Sequence, residues 1–160
     1  MYNAKTISEY FDTYGEKEWD RLEATPRDQV SFYIHTHYLK KFIKADDSVL
    51  EVGAGAGRFT IELAKLGADI TVGDISKGQL QLNKKYVKEA GLEPNIVKRV
   101  ELDITNLREF ADNSFDAVVC YGGPLSYVLD KAGQAIEEML RVTKPGGFVF
   151  LSVMSYLGIT

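Results

Sequence analysis

Three acidic residues stand where a carboxylate can meet a ligand. Glu51 lies two positions before glycines at every second residue, in Val49-Leu50-Glu51-Val52-Gly53-Ala54-Gly55-Ala56-Gly57. Asp74 closes an apolar segment in Val72-Gly73-Asp74-Ile75-Ser76, and Asp103 closes another in Glu101-Leu102-Asp103-Ile104-Thr105. Asp116 joins them more weakly. A carboxylate only accepts hydrogen bonds and has two oxygens, so an acid at a strand end can take both hydroxyls of a ribose. Glycines lack the Cβ that would keep a ligand away from the backbone. A helix opening just after such a loop aims free N–H groups at the same place. Together these features point to a nucleoside-type ligand. The competing role for Asp74 and Asp103 is to cap or turn the following segment. Ser76 is the better cap after Asp74, which leaves that carboxylate for the ligand. Glu51 beside an apolar strand is costly to bury without a partner, which assigns it to the same site.

Spacing separates the possible cofactors. A dinucleotide fingerprint, Gly-x-Gly-x-x-Gly, needs a third glycine or alanine at position 58, where Arg58 stands. The pattern here is Glu-x-Gly-x-Gly-x-Gly, which argues against a nicotinamide cofactor. No Walker lysine follows the loop, which disfavours a triphosphate.

At these residues the chain resembles the class I S-adenosylmethionine-dependent methyltransferases. Glu51 to Gly57 is similar to that family's first motif, Asp74 to its ribose-binding acid, and Asp103-Ile104 to the pair that meets adenine. Phe115-Asp116-Ala117-Val118-Val119 resembles its fourth strand, and Leu140 to Gly147 the helix and turn entering its fifth. The similarity runs over residues 46–154. It implies S-adenosyl-L-methionine as cofactor, held by Glu51, Gly53, Ala54, Gly55 and Gly57, by Asp74 and Ile75, by Asp103 and Ile104, and by Tyr121. The cofactor is net cationic, and an acid-lined pocket without phosphate-binding lysines suits it. Arg58, at the start of the helix, either meets the cofactor carboxylate or pairs with a nearby acid.

The acceptor side falls beyond the fourth strand, at Tyr121-Gly122-Gly123-Pro124-Leu125-Ser126-Tyr127. Nucleic-acid N-methyltransferases of the family carry Asn/Asp-Pro-Pro-Tyr/Phe there. Tyr-Gly-Gly-Pro disfavours that substrate and leaves a small-molecule acceptor. No catalytic base is named; Tyr121, Tyr127 and the histidines are candidates only. Tyr10, Tyr14 and Trp19 either roof the sulfonium with aromatic faces or pack the N-terminal helices. His35 and His37 are two apart and face different ways on a helix, so no metal site is expected. Cys120 reads as a small core residue.

These residues need a scaffold that brings strand ends together. The apolar runs Ser48–Gly53, Ile70–Asp74, Val97–Leu102, Phe115–Tyr121 and Phe148–Met154 alternate with helical patterns at 58–66, 76–90 and 134–142. Continuous apolar strands between helices mean a parallel sheet covered on both faces. The expectation is an α/β, doubly wound, mostly parallel sheet in the order 3-2-1-4-5. Residues 1–44 add two or three helices as a lid segment, with Thr25 capping a helix that begins at Pro26. Residues 45–160 form the Rossmann-like core, and the whole is one domain.

Composition agrees. The 160 residues are 45% apolar and 26% charged, which is ordinary for a soluble globular chain. A net charge of −4 and a pI near 5.2 give no general attraction to nucleic acid. One cysteine excludes an internal disulfide and fits a cytoplasmic location. No apolar run approaches the roughly 20 residues of a membrane span.

One departure from the family stands out. Its fold continues after strand five into an antiparallel hairpin, for which Ser155–Thr160 is too short. The chain therefore reads as a fragment or a minimal version. A bare apolar edge at strand five is then expected to pair with a second copy. The functional readings are methyl transfer to a small molecule, a cofactor-binding module without transfer of its own, and, disfavoured by Arg58, a nicotinamide-dependent oxidoreductase.

Overall fold

The apolar runs become five parallel strands. The computed structural model describes residues 1–154; the tail Ser155–Thr160 lies outside the described residues. Strands β1 (Ser48–Val52), β2 (Asp69–Asp74), β3 (Ile96–Glu101), β4 (Phe115–Cys120) and β5 (Thr143–Leu151) form one sheet in the order β3-β2-β1-β4-β5. All pairings are parallel, with Glu51 opposite Val72 on one side and Val119 on the other. The chain starts in the middle, steps outward to β3, then returns to build β4 and β5. That reversal opens a crevice at the carboxyl ends of β1 and β4.

Helices are α1 (Ala4–Tyr14), α2 (Lys17–Arg21), α3 (Pro26–Phe42), α4 (Arg58–Lys65), α5 (Lys77–Glu89), α6 (Pro124–Tyr127) and α7 (Ala132–Val142). Strand alternation sorts the core into two layers. Val49, Val72 and Val119 face α3 and α4 through Leu39, Phe59 and Leu63. Leu50, Val52, Val118 and Cys120 face α6 and α7 through Leu125 and Met139. Each such fully buried side chain stabilises the fold by about 1.5–3 kcal/mol.

The expected starts hold. Thr25 accepts from the Asp28 N–H at 3.2 Å with Pro26 in the first turn, and Ser76 accepts from the Gln79 N–H at 3.0 Å. No helix among the described residues is long and apolar enough to cross a membrane.

Two expectations need correction. Strand five begins at Thr143 rather than Phe148, because its pairing with β4 jumps from Phe115–Thr143 to Ala117–Phe148 and leaves Lys144–Gly147 bulged between. A Cβ on Gly147 would stand 2.6 Å from the Asp116 carbonyl oxygen, so only glycine closes this bulge. The strand also ends at Leu151, where the Ser152 N–H still reaches the Cys120 carbonyl but Met154 bonds to the Ser126 hydroxyl. The second is α6, a short helix not foreseen in the Tyr121–Tyr127 segment assigned to the acceptor side.

Candidate functional site

Asp74 sits at the centre of the crevice, at the end of β2 and 6% exposed. One carboxylate oxygen accepts from the Gly55 N–H at 2.8 Å, the other from the Ser76 N–H at 2.9 Å. Each oxygen keeps a lone-pair direction for a further donor. Burial pushes its pKa up to about 6, against the opposing pull of those two hydrogen bonds. Asp74 thus clamps the glycine loop and faces the cavity at once, while Ser76 does the capping.

The loop is compact because it carries no side chains where its neighbours press in. Gly53 and Gly55 have φ of 67° and 55°. A Cβ on Gly53 would fall 2.2 Å from Pro124 of α6, and one on Gly55 would fall 3.2 Å from Glu18 of α2. Gly57 opens α4 without a side-chain cap, so the first N–H groups of that helix have none.

A cleft open to solvent lies over the loop. Of the residues singled out in the sequence, Gly53, Gly55, Asp74, Ile75, Ile104 and Tyr121 line it. Ala54 and Gly57 line an adjoining smaller recess, together with Phe59 and Tyr121. Leu102, Ile104 and Val128 give the cleft an apolar slot.

Two expected site residues do not line the cleft. Glu51 alternates onto the sheet face covered by α3 and α4, where Thr60 donates to it at 2.5 Å. Asn83 then donates to Thr60, and Arg99 to Asn83. Burial pushes the Glu51 carboxyl up to about 8, so Glu51 braces α4 from beneath the loop. Asp103 takes both the N–H and hydroxyl of Thr105 on one oxygen, each at 2.8 Å. The phenol of Tyr2 lies against its carboxyl, and burial together with that charge raises the phenol pKa.

Of the two readings of the N-terminal aromatics, packing of the helices is the one the geometry matches. Tyr10 and Tyr14 stack on each other outside the cleft. Trp19 stacks on Tyr86 with the Arg58 guanidinium 3.9 Å over its ring. Arg58 also pairs with Glu23 at 2.9 Å, the nearby-acid reading of its role, and lines the adjoining recess. Tyr2 and Phe11 from the N-terminal segment and Tyr127 from α6 line the cleft instead, and so do Glu18 and Arg21. No sequence pattern marks Tyr2, Phe11, Glu18 or Arg21, which docking of the N-terminal segment on the sheet puts there, whereas Tyr127 lies in the segment assigned to the acceptor side.

Other candidates resolve simply. Asp116 lies at the opposite end of β4, accepts from the Ser48 N–H and pairs with Lys144, which lowers its pKa. Burial raises the Cys120 thiol to about 12 and it packs in the core. Burial, with Tyr38 nearby, pushes the Tyr121 phenol up to about 12, so it keeps its proton at neutral pH and is a donor rather than a base. Among the described residues no group of three His, Cys, Asp or Glu is placed to hold a metal ion.

A strand-end acid locked to a glycine loop, beside an apolar slot in a 3-2-1-4-5 sheet, is the frame of the class I S-adenosylmethionine-dependent methyltransferases. Residues 50–151 match the family model of the methyltransferase domain, and the chain belongs to that family. It is 38% identical over 114 residues to a demethylmenaquinone methyltransferase of Paenarthrobacter aurescens, covering 71% of this chain and 41% of that protein. It is 36% identical over 107 residues to a ubiquinone biosynthesis O-methyltransferase of Paracidovorax citrulli, covering 67% and 43%. The fold superposes on a SAM-dependent methyltransferase of Methanosarcina mazei with a TM-score of 0.61, 27% identity, and coverage of 70% of this chain and 54% of that one. The chain spans about two fifths of the length of these curated relatives.

The site fits the family's cofactor. Asp74 offers acceptors for a ribose, Leu102 and Ile104 an apolar slot for a purine, and the glycine loop a surface no Cβ interrupts.

Proposed function

We propose that this chain binds S-adenosyl-L-methionine over Asp74 and transfers its methyl group to a small-molecule acceptor. The carrying observation is the Asp74 carboxylate, tied to the Gly55 N–H and still facing the cleft. The cofactor supplies a methyl group activated by an attached sulfonium. The chain supplies position: Asp74 holds the ribose, Ile104 lies against the base, and the α1–α2 roof excludes water. Asp103 meets the adenine edge in this reading only when the Tyr2 phenol moves off it. The gain over an unbound reaction is alignment and proximity.

The recess beside the loop places Leu22, Phe59 and Tyr121 among the charged Glu18, Arg21 and Arg58. That lining, with the similarity to two methyltransferases of quinone synthesis, supports a hydroxylated aromatic ring as acceptor. The net charge of −4 weighs against nucleic acid. Self-association through β5 belongs to the same proposal. It is the outer strand on its side of the sheet among the described residues, with Phe148 42% and Leu151 39% exposed.

The test is calorimetric titration of the purified chain with S-adenosylhomocysteine, followed by transfer of labelled methyl to a demethylmenaquinol. Binding and transfer are the expected results. No binding overturns the whole proposal. Binding without transfer favours the second reading, a cofactor-binding portion of a longer enzyme, which the two-fifths coverage of the relatives supports.

A further inference from the structure

Beneath the glycine loop runs a chain of hydrogen bonds whose direction is set at one end. Arg99 of β3 is held by Glu93 through two bonds, at 2.7 and 2.9 Å. Its Nε donates to Asn83 Oδ1 at 2.9 Å. Asn83 Nδ2 donates to the Thr60 hydroxyl at 2.8 Å, and that hydroxyl donates to Glu51 Oε2 at 2.5 Å. Asn83, Thr60 and Glu51 are all buried. A guanidinium can only donate, so the Asn83 amide turns its oxygen to Arg99 and its NH2 to Thr60. Thr60 then accepts on one side and keeps its proton for Glu51. Every donor in the chain points toward the carboxyl, the polarity that favours a negative charge there.

This chain is part of the loop's foundation. A Cβ on Gly57 would stand 3.0 Å from Asn83 Nδ2. Glu51 leads through Val52 to Gly53, which lines the cleft. Burial pushes the Glu51 carboxyl up to about 8, the Thr60 bond opposes that rise, and the Asp74 charge adds to it. Asp74 lines the cleft, so a charge in the cleft is felt at Glu51. The other neighbours are weaker influences. Val72 and Val119 flank Glu51 on the adjacent strands. Helices α4 and α5 present the uncharged Thr60 and Asn83, and α3 sets His35 against Phe59 and Tyr121 on the same face. Asp74 is the like charge nearby, and Arg99 the cation at the far end of the chain.

A methyl donor and its spent product differ by one charge. The sulfur of S-adenosylmethionine is a sulfonium, and that of S-adenosylhomocysteine is neutral. A cation in the cleft favours the ionised carboxyl beneath it, and the proton leaves to solvent.

We propose that Glu51 is a buried counter-charge that ionises as the cationic cofactor binds, and that Thr60, Asn83 and Arg99 are positioning residues that support this charge. This rests on the assignment of S-adenosylmethionine to the cleft. It biases the site toward the methyl-bearing form without any contact to the sulfur.

Calorimetry near neutral pH, in buffers of different ionisation enthalpy, tests it by reading both affinity and the protons released on binding. The wild type is expected to release more protons with S-adenosylmethionine than Glu51→Gln does. Asp74 and the ligand amine titrate in both proteins, so the difference belongs to Glu51. Glu51→Gln should weaken S-adenosylmethionine about fivefold or more, as loss of one charge interaction away from water implies. It should keep S-adenosylhomocysteine within about twofold of wild type, since that sulfur carries no charge. Retained S-adenosylhomocysteine binding also shows that the variant is folded. Thr60→Val and Arg99→Met, which cut the chain, should move the ratio of the two affinities the same way. Thr60→Ser, which keeps the hydroxyl, should hold that ratio at wild type. Equal losses for both ligands, or an unchanged proton count in Glu51→Gln, overturn the proposal while leaving the cofactor site intact. A wild type that binds neither ligand removes the cofactor site as well.

Discussion

The Asp74 carboxyl, raised to about 6 by burial, titrates close to neutrality. Ribose hydroxyls need its ionised form as acceptor, so ligand contact favours the ionised state. Affinity is then full above that pKa and lost as pH falls through it. We expect S-adenosylhomocysteine binding to weaken between pH 7 and 5 in the wild type. Asp74→Asn should bind roughly ten- to a hundredfold more weakly at pH 7, the loss of charged hydrogen bonds, with a flat profile below it. Calorimetry across that range checks both. Asp74 and the glycines were legible from sequence because a strand end and a missing Cβ fix their place without reference to the rest of the fold. Glu51 was misplaced for a reason also present in the sequence. Val49 and Glu51 share one face of β1, and Val49 is core against α4, so period-two alternation already points Glu51 away from the ligand.

At the scale of elements, the roof is held by specific bonds. Asp12 of α1 accepts from the Ser76 hydroxyl at 2.5 Å and the Gly78 N–H at 2.9 Å, at the N-terminus of α5. Ser8 donates to the Ile75 carbonyl, and Gln79 to the carbonyls of Phe11 and Gly15. An acid satisfying free N–H groups at a helix start contributes about 0.5–2 kcal/mol. We expect Asp12→Ala to lower stability by about that amount and to speed S-adenosylhomocysteine dissociation in stopped-flow, while the contacts of Asp74 stay intact. Elements with strong periodicity and caps, such as α3 after Thr25 and α5 after Ser76, were readable in advance. Helices of five and four residues, α2 and α6, were not, because tertiary docking rather than local pattern orders them. They supply Glu18, Arg21, Pro124 and Tyr127 to the cleft wall, and of these Glu18 and Arg21 escaped the sequence.

For the molecule as a whole, the proposed pairing of copies rests on the β5 edge. Lys144 and Pro145 sit in the bulge and blunt the start of the strand, so only residues 148–151 present an edge without charge or proline. Phe150 is not an outward position: its ring lies 6.3 Å from Phe42 and 6.2 Å from Tyr121. Leu151 is the better probe. Leu151→Lys is expected to shift light scattering toward monomer, and a wild type that is monomeric at high concentration removes the pairing. The roof has its own consequence for the whole molecule. Tyr2 anchors through its N–H to Asp130 at 3.0 Å, α1 is bonded to α5, and the cleft lies between these ties and the glycine loop. Release of the proposed ligand is expected to quicken when these ties are removed. In the proposed reaction turnover then has a clock separate from chemistry, set by how long these ties hold, and substitutions far from any reacting atom are expected to retime the cycle.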